Sequence, residues 1–376
     1  MITYIARELG SAVRAEISII LATLACITLV NNIVAGGSMS YLATKIDAKS
    51  LLKVAYSYTF IVHSIAAIVL SFIPIGLPIG SSMYIVGISA ISGLFYSHCG
   101  IYSGTKHLDK SNILQLIMVS ITTFLCCLLV YNGYGFQSFL ISSLISISVM
   151  WVYVFVQDYE LVASYSILET YKACIHFGAK NQIGHIAQFF SSRYSFYILS
   201  ILYVHDKAEM GVFTHALSLM EATWLLSNSL AGVLYNRILQ NENIQLSQKW
   251  TNSFVLYTAL STALAISILI IFPSEWYIYV FKKDFQTIKQ YMYPLVSGTF
   301  LYAIYLIIGH YISAIGKPQW NSIANITGAI LMVSFVHILG NSYTTLQAAW
   351  LTSVCYSATS VVSMLFYFYS IHSTKS

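Results

Sequence analysis

The chain has 376 residues, of which only 8% are Asp, Glu, Lys or Arg and 57% are hydrophobic, and its mean hydropathy is +0.73. An ordinary soluble domain carries about 25% charged residues, so this composition excludes a soluble globular protein. The net charge of +5 comes from scattered basic residues with no run longer than Lys282-Lys283, which argues against a nucleic-acid partner. The six cysteines show no metal-ligand spacing, and we predict neither a metal nor a cofactor.

Continuous apolar runs predict eleven complete membrane-spanning helices. A span needs about 20 apolar residues, and only helices or closed barrels satisfy the backbone in lipid. Helices are favoured because the runs are unbroken rather than alternating. Turn residues such as Pro74, Pro78, Asn132-Gly133 and Gly316-Lys317-Pro318 separate several of them. The predicted spans are 17–42, 51–73, 80–101, 112–132, 134–156, 182–204, 211–238, 251–272, 290–313, 319–339 and 345–368.

The longest stretch between spans, residues 157–181, divides the chain into an N-terminal helical bundle (1–156) and a C-terminal helical bundle (182–376). The two halves resemble each other. Glu8-Leu9-Gly10 recurs as Glu209-Met210-Gly211, and the motif that begins at Asn32 and ends in Ala-Gly recurs from Asn228. Internal duplication is common in transporters. The first bundle has five spans and the second six, so the repeat predicts that the first helix of the N-terminal bundle is missing.

The distribution of Lys and Arg predicts the orientation. If the loop between the first two spans is cytoplasmic, most basic residues lie on the cytoplasmic side, including the linker 157–181. Arg7 and Arg14 then fall in a segment on the opposite side, and Arg193 is the one basic residue inside a span. We therefore expect a multi-pass protein of the cytoplasmic (inner) membrane.

Arg193 is the sharpest candidate for a functional residue. A charge in the middle of a span costs at least about 3 kcal/mol, so its side chain should face protein or a wet cavity. Gln188 and Ser192 fall on the same half of the helical wheel. The guanidinium suits a pyrophosphate or an acidic sugar. The alternative is a buried ion pair with no contact to a substrate.

Glu221 lies on the next predicted span, at a depth similar to that of Arg193, roughly 15–17 Å from the turn between them. The two side chains can meet if their helical faces agree, and on a continuous helix Glu221 shares a stripe with Asn228. A buried carboxylate could bind and release a coupling proton or sodium ion. A fixed partnership with Arg193 is the alternative.

Asn31 and Asn32 occupy positions in the first half that correspond to Ser227 and Asn228 in the second. They are expected either to line the opposite wall of the same cavity or to form hydrogen bonds between helices.

Several motifs resemble one membrane-protein family over nearly the whole chain. They are Ala6-Arg7-Glu8-Leu9-Gly10, the stretch from Glu209 to Glu221, Leu234-Tyr235-Asn236-Arg237-Ile238, Ala314-Ile315-Gly316-Lys317-Pro318 and Leu346-Gln347-Ala348-Ala349-Trp350. With these, the chain resembles the polysaccharide-type flippases, known as Wzx-like or O-antigen flippases, of the multidrug/oligosaccharidyl-lipid/polysaccharide (MOP) superfamily.

This resemblance implies two six-helix lobes around a central cavity and transport driven by an ion gradient. It implies a lipid-linked oligosaccharide of the undecaprenyl-pyrophosphate type as substrate, and a role in O-antigen, lipopolysaccharide or other polysaccharide biosynthesis. Membrane lipid and other polysaccharide-assembly membrane proteins are the implied partners. The chain departs from the family in lacking the first helix and an acidic residue around Ser192-Arg193-Tyr194-Ser195.

Two other functions stay open. A small-molecule or multidrug exporter of the same superfamily would favour acidic cavity residues for cationic drugs. A membrane-embedded polysaccharide-biosynthesis enzyme would need catalytic groups at a membrane face, but the sequence has no paired carboxylates, no HxxxD-like arrangement and no phosphate-binding GxxxxGK[ST] loop. We therefore predict a protein without catalytic residues.

Overall fold

A computed structural model describes residues 1–72, 76–105, 107–158, 166–203, 207–239, 241 and 243–373. Within these ranges the regular structure is entirely helical. The predicted turn residue Pro74 and residues 159–165 of the predicted linker lie outside them. The prediction of an all-α protein with many membrane spans is confirmed.

Seven helices occupy the first part of the chain. They are α1 (Ile2–Ala35), α2 (Gly37–Leu42), α3 (Ala48–Phe72), α4 (Ser81–Gly104), α5 (Leu108–Tyr131), α6 (Gln137–Gln157) and α7 (Ile167–Leu202). Seven more follow: α8 (Ala208–Ala222), α9 (Leu225–Leu239), α10 (Ile244–Ile271), α11 (Ser274–Phe281), α12 (Ile288–Ala314), α13 (Pro318–Leu339) and α14 (Thr345–Ser373).

Helix ends coincide with residues that cannot continue a helix or that cap one. Gly316, at a φ of +79°, precedes α13, whose first residue is Pro318; proline is well tolerated at that position because its missing N–H would be unpaired there anyway. The side chain of Asn243 accepts a hydrogen bond from the Leu246 backbone N–H and caps α10. Local turn chemistry therefore sets these boundaries.

Nine helical segments in the described part of the chain are long and apolar enough to cross a membrane. They correspond to nine of the eleven predicted spans. The prediction of a single span over 211–238 was wrong, because tight turns at Thr223 and Trp224 divide it into α8 and α9. Each of these has 15 residues, or roughly 22 Å at 1.5 Å per residue, which is short of the hydrocarbon thickness. The other exception, 182–204, forms part of the 36-residue α7.

The chain divides into two compact units. The first contains residues 1–9 and 16–183, and the second contains residues 10–15 and 184–376. The segment from Ile167 to Ile183 is helical and belongs to the first unit, and all but its last two residues fall in the predicted linker 157–181. Residues 10–15 belong to the second unit, although they lie in α1.

The second unit is built around α12, which packs against α8, α9, α10, α13 and α14. Small residues permit close approach in this unit, as is usual between membrane helices. Gly211 of α8 faces the backbone of Ser11, and a Cβ atom at Gly211 would overlap the Ser11 carbonyl oxygen. This contact holds the segment 10–15 beside the charged residues of α8.

Candidate functional site

Arg193 of α7 and Glu221 of α8 form a two-pronged ion pair in the second unit. Arg193 Nη1 donates to Glu221 Oε1 at 2.9 Å, and Nη2 donates to Oε2 at 2.6 Å. Parallel hydrogen bonds of this kind are among the strongest in proteins. The Arg193 side chain is 28% exposed and that of Glu221 is 17% exposed, so the pair is accessible to a small polar group.

Aromatic side chains surround the Glu221 carboxylate. The Tyr356 hydroxyl of α14 donates to Glu221 Oε1 at 2.7 Å. The rings of Trp224 and Tyr302 lie 4.7 Å apart between centroids, and each lies within 5.3 Å of the Tyr356 ring. Trp224 Nε1 donates to the Thr299 carbonyl at 2.9 Å. The turn between α8 and α9 therefore presents an indole that is fixed to α12 beside the carboxylate.

Arg14 is a second buried cation in the same unit, and only 2% of it is exposed. Its Nη2 donates to Ser218 Oγ at 2.6 Å and to the Thr214 carbonyl at 3.3 Å. Its Nε donates to His215 Nδ1 at 3.4 Å, which leaves the ring proton of a neutral His215 on Nε2. Arg14, which the sequence places in a segment before the first predicted span, lies in α1 and is hydrogen-bonded to α8.

The three charged groups form one electrostatic cluster. Ser218 precedes Glu221 by three residues, so both lie on the same face of α8, and Arg14 interacts electrostatically with both Arg193 and Glu221. Two guanidinium groups and one carboxylate carry a net charge of +1. Opposite charges at Arg193 and Glu221 stabilise each other, and the Arg14 guanidinium is held by hydrogen bonds to α8.

Gln188 and Ser192 lie on α7, five residues and one residue before Arg193. The Gln188 side chain lies next to the Tyr302 hydroxyl, whereas Ser192 Oγ donates to the Gln188 carbonyl at 3.0 Å. Asn228 is exposed on α9, beyond the turn that separates α9 from α8. The stripe that was predicted to join Asn228 to Glu221 assumed a continuous helix, and that assumption was wrong.

Asn31 and Asn32 belong to the first unit. Asn31 is fully buried, and its Oδ1 accepts a hydrogen bond from Thr59 Oγ1 of α3 at 3.0 Å. Asn32 is half-buried, and its carbonyl accepts from the Gly36 N–H. This contact is a hydrogen bond between two helices, which is one of the two roles predicted for Asn31.

Sequence reasoning missed Arg14, Tyr302 and Tyr356 as neighbours of Glu221. A usable signal existed for Arg14, because Arg14-Ala15-Glu16 runs without a turn residue into the apolar stretch that starts at Ile17. No comparable signal marks two tyrosines among the 29 in the chain. In the part of the chain that the structure describes, no group of three or more His, Cys, Asp or Glu side chains is arranged to hold a metal ion.

Comparison with known proteins identifies the fold. No family model matches the chain, and no curated protein matches it. Among solved structures, an inward-facing multidrug resistance MATE family transporter of the MOP superfamily aligns over 100% of this chain and 94% of its own, with a TM-score of 0.77 and 16% identity. The lipid II flippase MurJ, in an inward closed conformation, aligns over 96% and 85%, with a TM-score of 0.68 and 15% identity.

A third solved structure is a MOP superfamily transporter from Pyrococcus furiosus, described as having a binding pocket of reverse polarity. It aligns over 100% of this chain and 98% of its own, with a TM-score of 0.60 and 16% identity. The fold of this chain is thus the one shared by MOP transporters and flippases.

Proposed function

We propose that this chain is a flippase that moves a lipid-linked oligosaccharide of the undecaprenyl-pyrophosphate type across the cytoplasmic membrane by alternating access. The observation that carries the proposal is the partly exposed Arg193 guanidinium, which is held by Glu221 within the second unit and lies near a second guanidinium, that of Arg14. A pyrophosphate offers the oxygens that a guanidinium binds through parallel hydrogen bonds. The likeness of the fold to MurJ, itself a flippase of lipid II, supports the same substrate class.

Arg193 is the proposed contact for the substrate. Its guanidinium is more accessible than that of Arg14, and its planar set of donors matches phosphate oxygens. Arg14 has the supporting role of holding positive potential nearby while bonded to α8. Ser192 and Gln188 lie on the same stretch of α7 and would contact the sugar or the phosphate edge.

Glu221 is the proposed coupling group. While ionised, Glu221 accepts two hydrogen bonds from Arg193. On protonation it would release the guanidinium, which could then bind the pyrophosphate. Proton binding and substrate binding at this cluster would then be linked, which is the requirement for coupling transport to an ion gradient. The competing role is a permanent partner of Arg193 that never titrates.

The test is transport in proteoliposomes that contain a fluorescent undecaprenyl-pyrophosphate oligosaccharide. Replacement of a charged ligand contact costs about 1.5–3 kcal/mol, so Arg193→Gln should slow transport by about 10- to 150-fold. Arg237→Gln is the matched control, because Arg237 is an exposed arginine of the same unit; it should leave the rate within about twofold. A folded Arg193→Gln protein that transports like the parent would exclude Arg193 as the contact.

Coupling is tested separately with Glu221→Gln. If Glu221 is the coupling group, the variant loses the pH dependence of transport. An unchanged rate with unchanged pH dependence would assign Glu221 to structure alone.

A multidrug exporter is the second candidate, and one feature favours it. The aromatic group of Trp224, Tyr302 and Tyr356 around a carboxylate could bind an organic cation. In the structure, however, that carboxylate already forms an ion pair with the Arg193 guanidinium. The two functions predict opposite effects of Arg193→Gln: export of a cationic dye should rise for an exporter, and oligosaccharide transport should fall for a flippase.

A further inference from the structure

A polar cavity lies in the first unit. Its volume is about 320 Å³, and it is lined by Lys49, Leu52, Lys53, Tyr56, His98, Phe155 and Asp158. The beginning of α3, the end of α4 and the end of α6 meet there. These helix ends lie on the side of the membrane that the Lys and Arg distribution predicts to be cytoplasmic.

A hydrogen-bonded chain forms the inner wall of this cavity. His98 Nδ1 contacts Asp158 Oδ2 at 2.5 Å, and the Tyr102 hydroxyl donates to the same oxygen at 2.7 Å. His98 Nε2 contacts the Tyr56 hydroxyl at 2.8 Å, and Trp151 Nε1 donates to that hydroxyl oxygen at 3.0 Å. Burial alone would raise the pKa of Asp158, but the hydrogen bonds from His98 and Tyr102 outweigh it and hold that pKa below its ordinary value.

The direction of the hydrogen bonds in this wall depends on whether the His98 ring carries one proton or two. With Asp158 ionised, His98 Nδ1 carries a hydrogen in either protonation state. If His98 is neutral, its Nε2 accepts the hydroxyl hydrogen of Tyr56. If His98 is protonated, both ring nitrogens donate, and the Tyr56 oxygen accepts from His98 and Trp151. The Tyr56 hydrogen is then released to another acceptor, and Tyr56 lines the cavity.

The charge of the lining changes at the same time. Lys49, Lys53 and Asp158 give a net charge of +1 when His98 is neutral and +2 when it is protonated. The titratable and charged groups that face His98 or its partners are Lys49, Lys53 and Tyr56 of α3, Cys99 and Tyr102 of α4, Lys110 of α5, and Tyr153 and Asp158 at the end of α6. Helix α2, which also packs against α4, carries Tyr41 alone among titratable residues, and that ring stacks on Phe177.

We infer that this cavity is a binding site for a phosphate group, and that binding is linked to proton uptake by His98. Two lysines and a released hydroxyl supply the donors that phosphate oxygens require. Leu52 and Phe155 give the cavity an apolar wall, which fits the phosphate of a phospholipid head group better than a free phosphate ion. The inference uses no residue of the second unit and does not depend on the proposed transport function.

Calorimetric titration of the purified full chain in a non-ionic detergent tests the site. The probes are dihexanoyl phosphatidylglycerol and inorganic phosphate, each at pH 5.5 and pH 8. We expect phosphatidylglycerol to bind more tightly at pH 5.5. Lys49→Gln and Lys53→Gln should each weaken binding about fivefold, whereas Lys172→Gln, a lysine that lines a different depression of the same unit, should not. Equal binding of inorganic phosphate would support the site and assign it to free phosphate. Binding of neither probe would overturn the proposal.

The proton linkage has its own variants. His98→Gln retains an amide that can accept from Tyr56 and donate to Asp158, but it takes up no proton. This variant should bind at pH 8 like the parent and lose the gain at pH 5.5. Tyr56→Phe should bind more weakly than the parent at pH 5.5, because it lacks the hydroxyl donor. A His98→Gln protein that keeps the full pH dependence would overturn the linkage, and thermal unfolding of each variant establishes that it is folded.

Discussion

The ion pair between Arg193 and Glu221 makes a quantitative prediction about stability. Removal of one partner from a fully buried pair costs about 3–5 kcal/mol, because the other charge remains without compensation. Here 28% of the Arg193 side chain and 17% of the Glu221 side chain are exposed, so solvent offsets part of that cost. We expect Glu221→Gln to lower the free energy of unfolding by about 2–4 kcal/mol.

A double-mutant cycle with Arg193→Gln shows how much of that cost comes from the interaction between the two side chains. Arg193→Gln should also destabilise the protein, but the double variant should lose less than the sum, with a coupling energy of roughly 1–3 kcal/mol. Reversible unfolding by SDS in mixed detergent micelles measures all four free energies. Glu275→Gln, at an exposed position of α11, is the control and should change the stability by less than about 0.5 kcal/mol. Additive effects of the two single variants would refute the ion pair as a source of stability.

Two further predictions concern other parts of the fold. Gly211→Ala should destabilise the second unit severely, since its Cβ would overlap the Ser11 carbonyl oxygen. In Gly232→Ala on α9 the new Cβ meets no atom within 4 Å, so this variant should be neutral or more stable by up to about 1 kcal/mol. The yield of folded protein and its melting temperature compare the two variants, and equal losses would contradict the close contact. The lowered pKa of Asp158 means that its contribution to stability is present above the ordinary carboxyl pKa, near 3.9, and is lost as the pH falls through the folded-state value. In Asp158→Asn the melting temperature should no longer show this loss of stability below about pH 4. If the melting temperature of the variant depends on acid pH as that of the parent does, Asp158 is not responsible.

Much of the fold could be predicted from the sequence because lipid imposes a simple rule on it. Nine apolar runs became helical segments that can cross a membrane, since a span in lipid must form its own hydrogen bonds. Eight of them begin and end within six residues of the predicted boundaries, whereas the first begins at Thr3 and not at residue 17. The error at 211–238 arose where the run stays apolar through a turn. Thr223 and Trp224 are neither glycine nor proline, and the turn there is held by a tertiary hydrogen bond from Trp224 to α12.

The candidate site was predictable in part, for a physical reason. Arg193 and Glu221 stand out because ionised groups are rare and costly inside an apolar segment, and the structure brings them together. The aromatic residues around them could not be found in this way, since tyrosine is common throughout the chain. Arg14 was overlooked because its partners Thr214 and Ser218 lie about 200 residues away, and helical periodicity carries no information about so distant a contact.

That separation bears on how the protein is made. Arg14 is separated by 204 positions from Ser218, to which it donates a hydrogen bond of 2.6 Å. At a synthesis rate of about 5–20 residues per second, the acceptors Thr214 and Ser218 leave the ribosome roughly 10–40 s after Arg14 does. During that interval the guanidinium must rest at the water interface or on a provisional neighbour. The packing of this early segment on α8 can therefore begin only after more than half of the chain has been made. A chaperone or insertase that shields a nascent arginine would protect it during that interval.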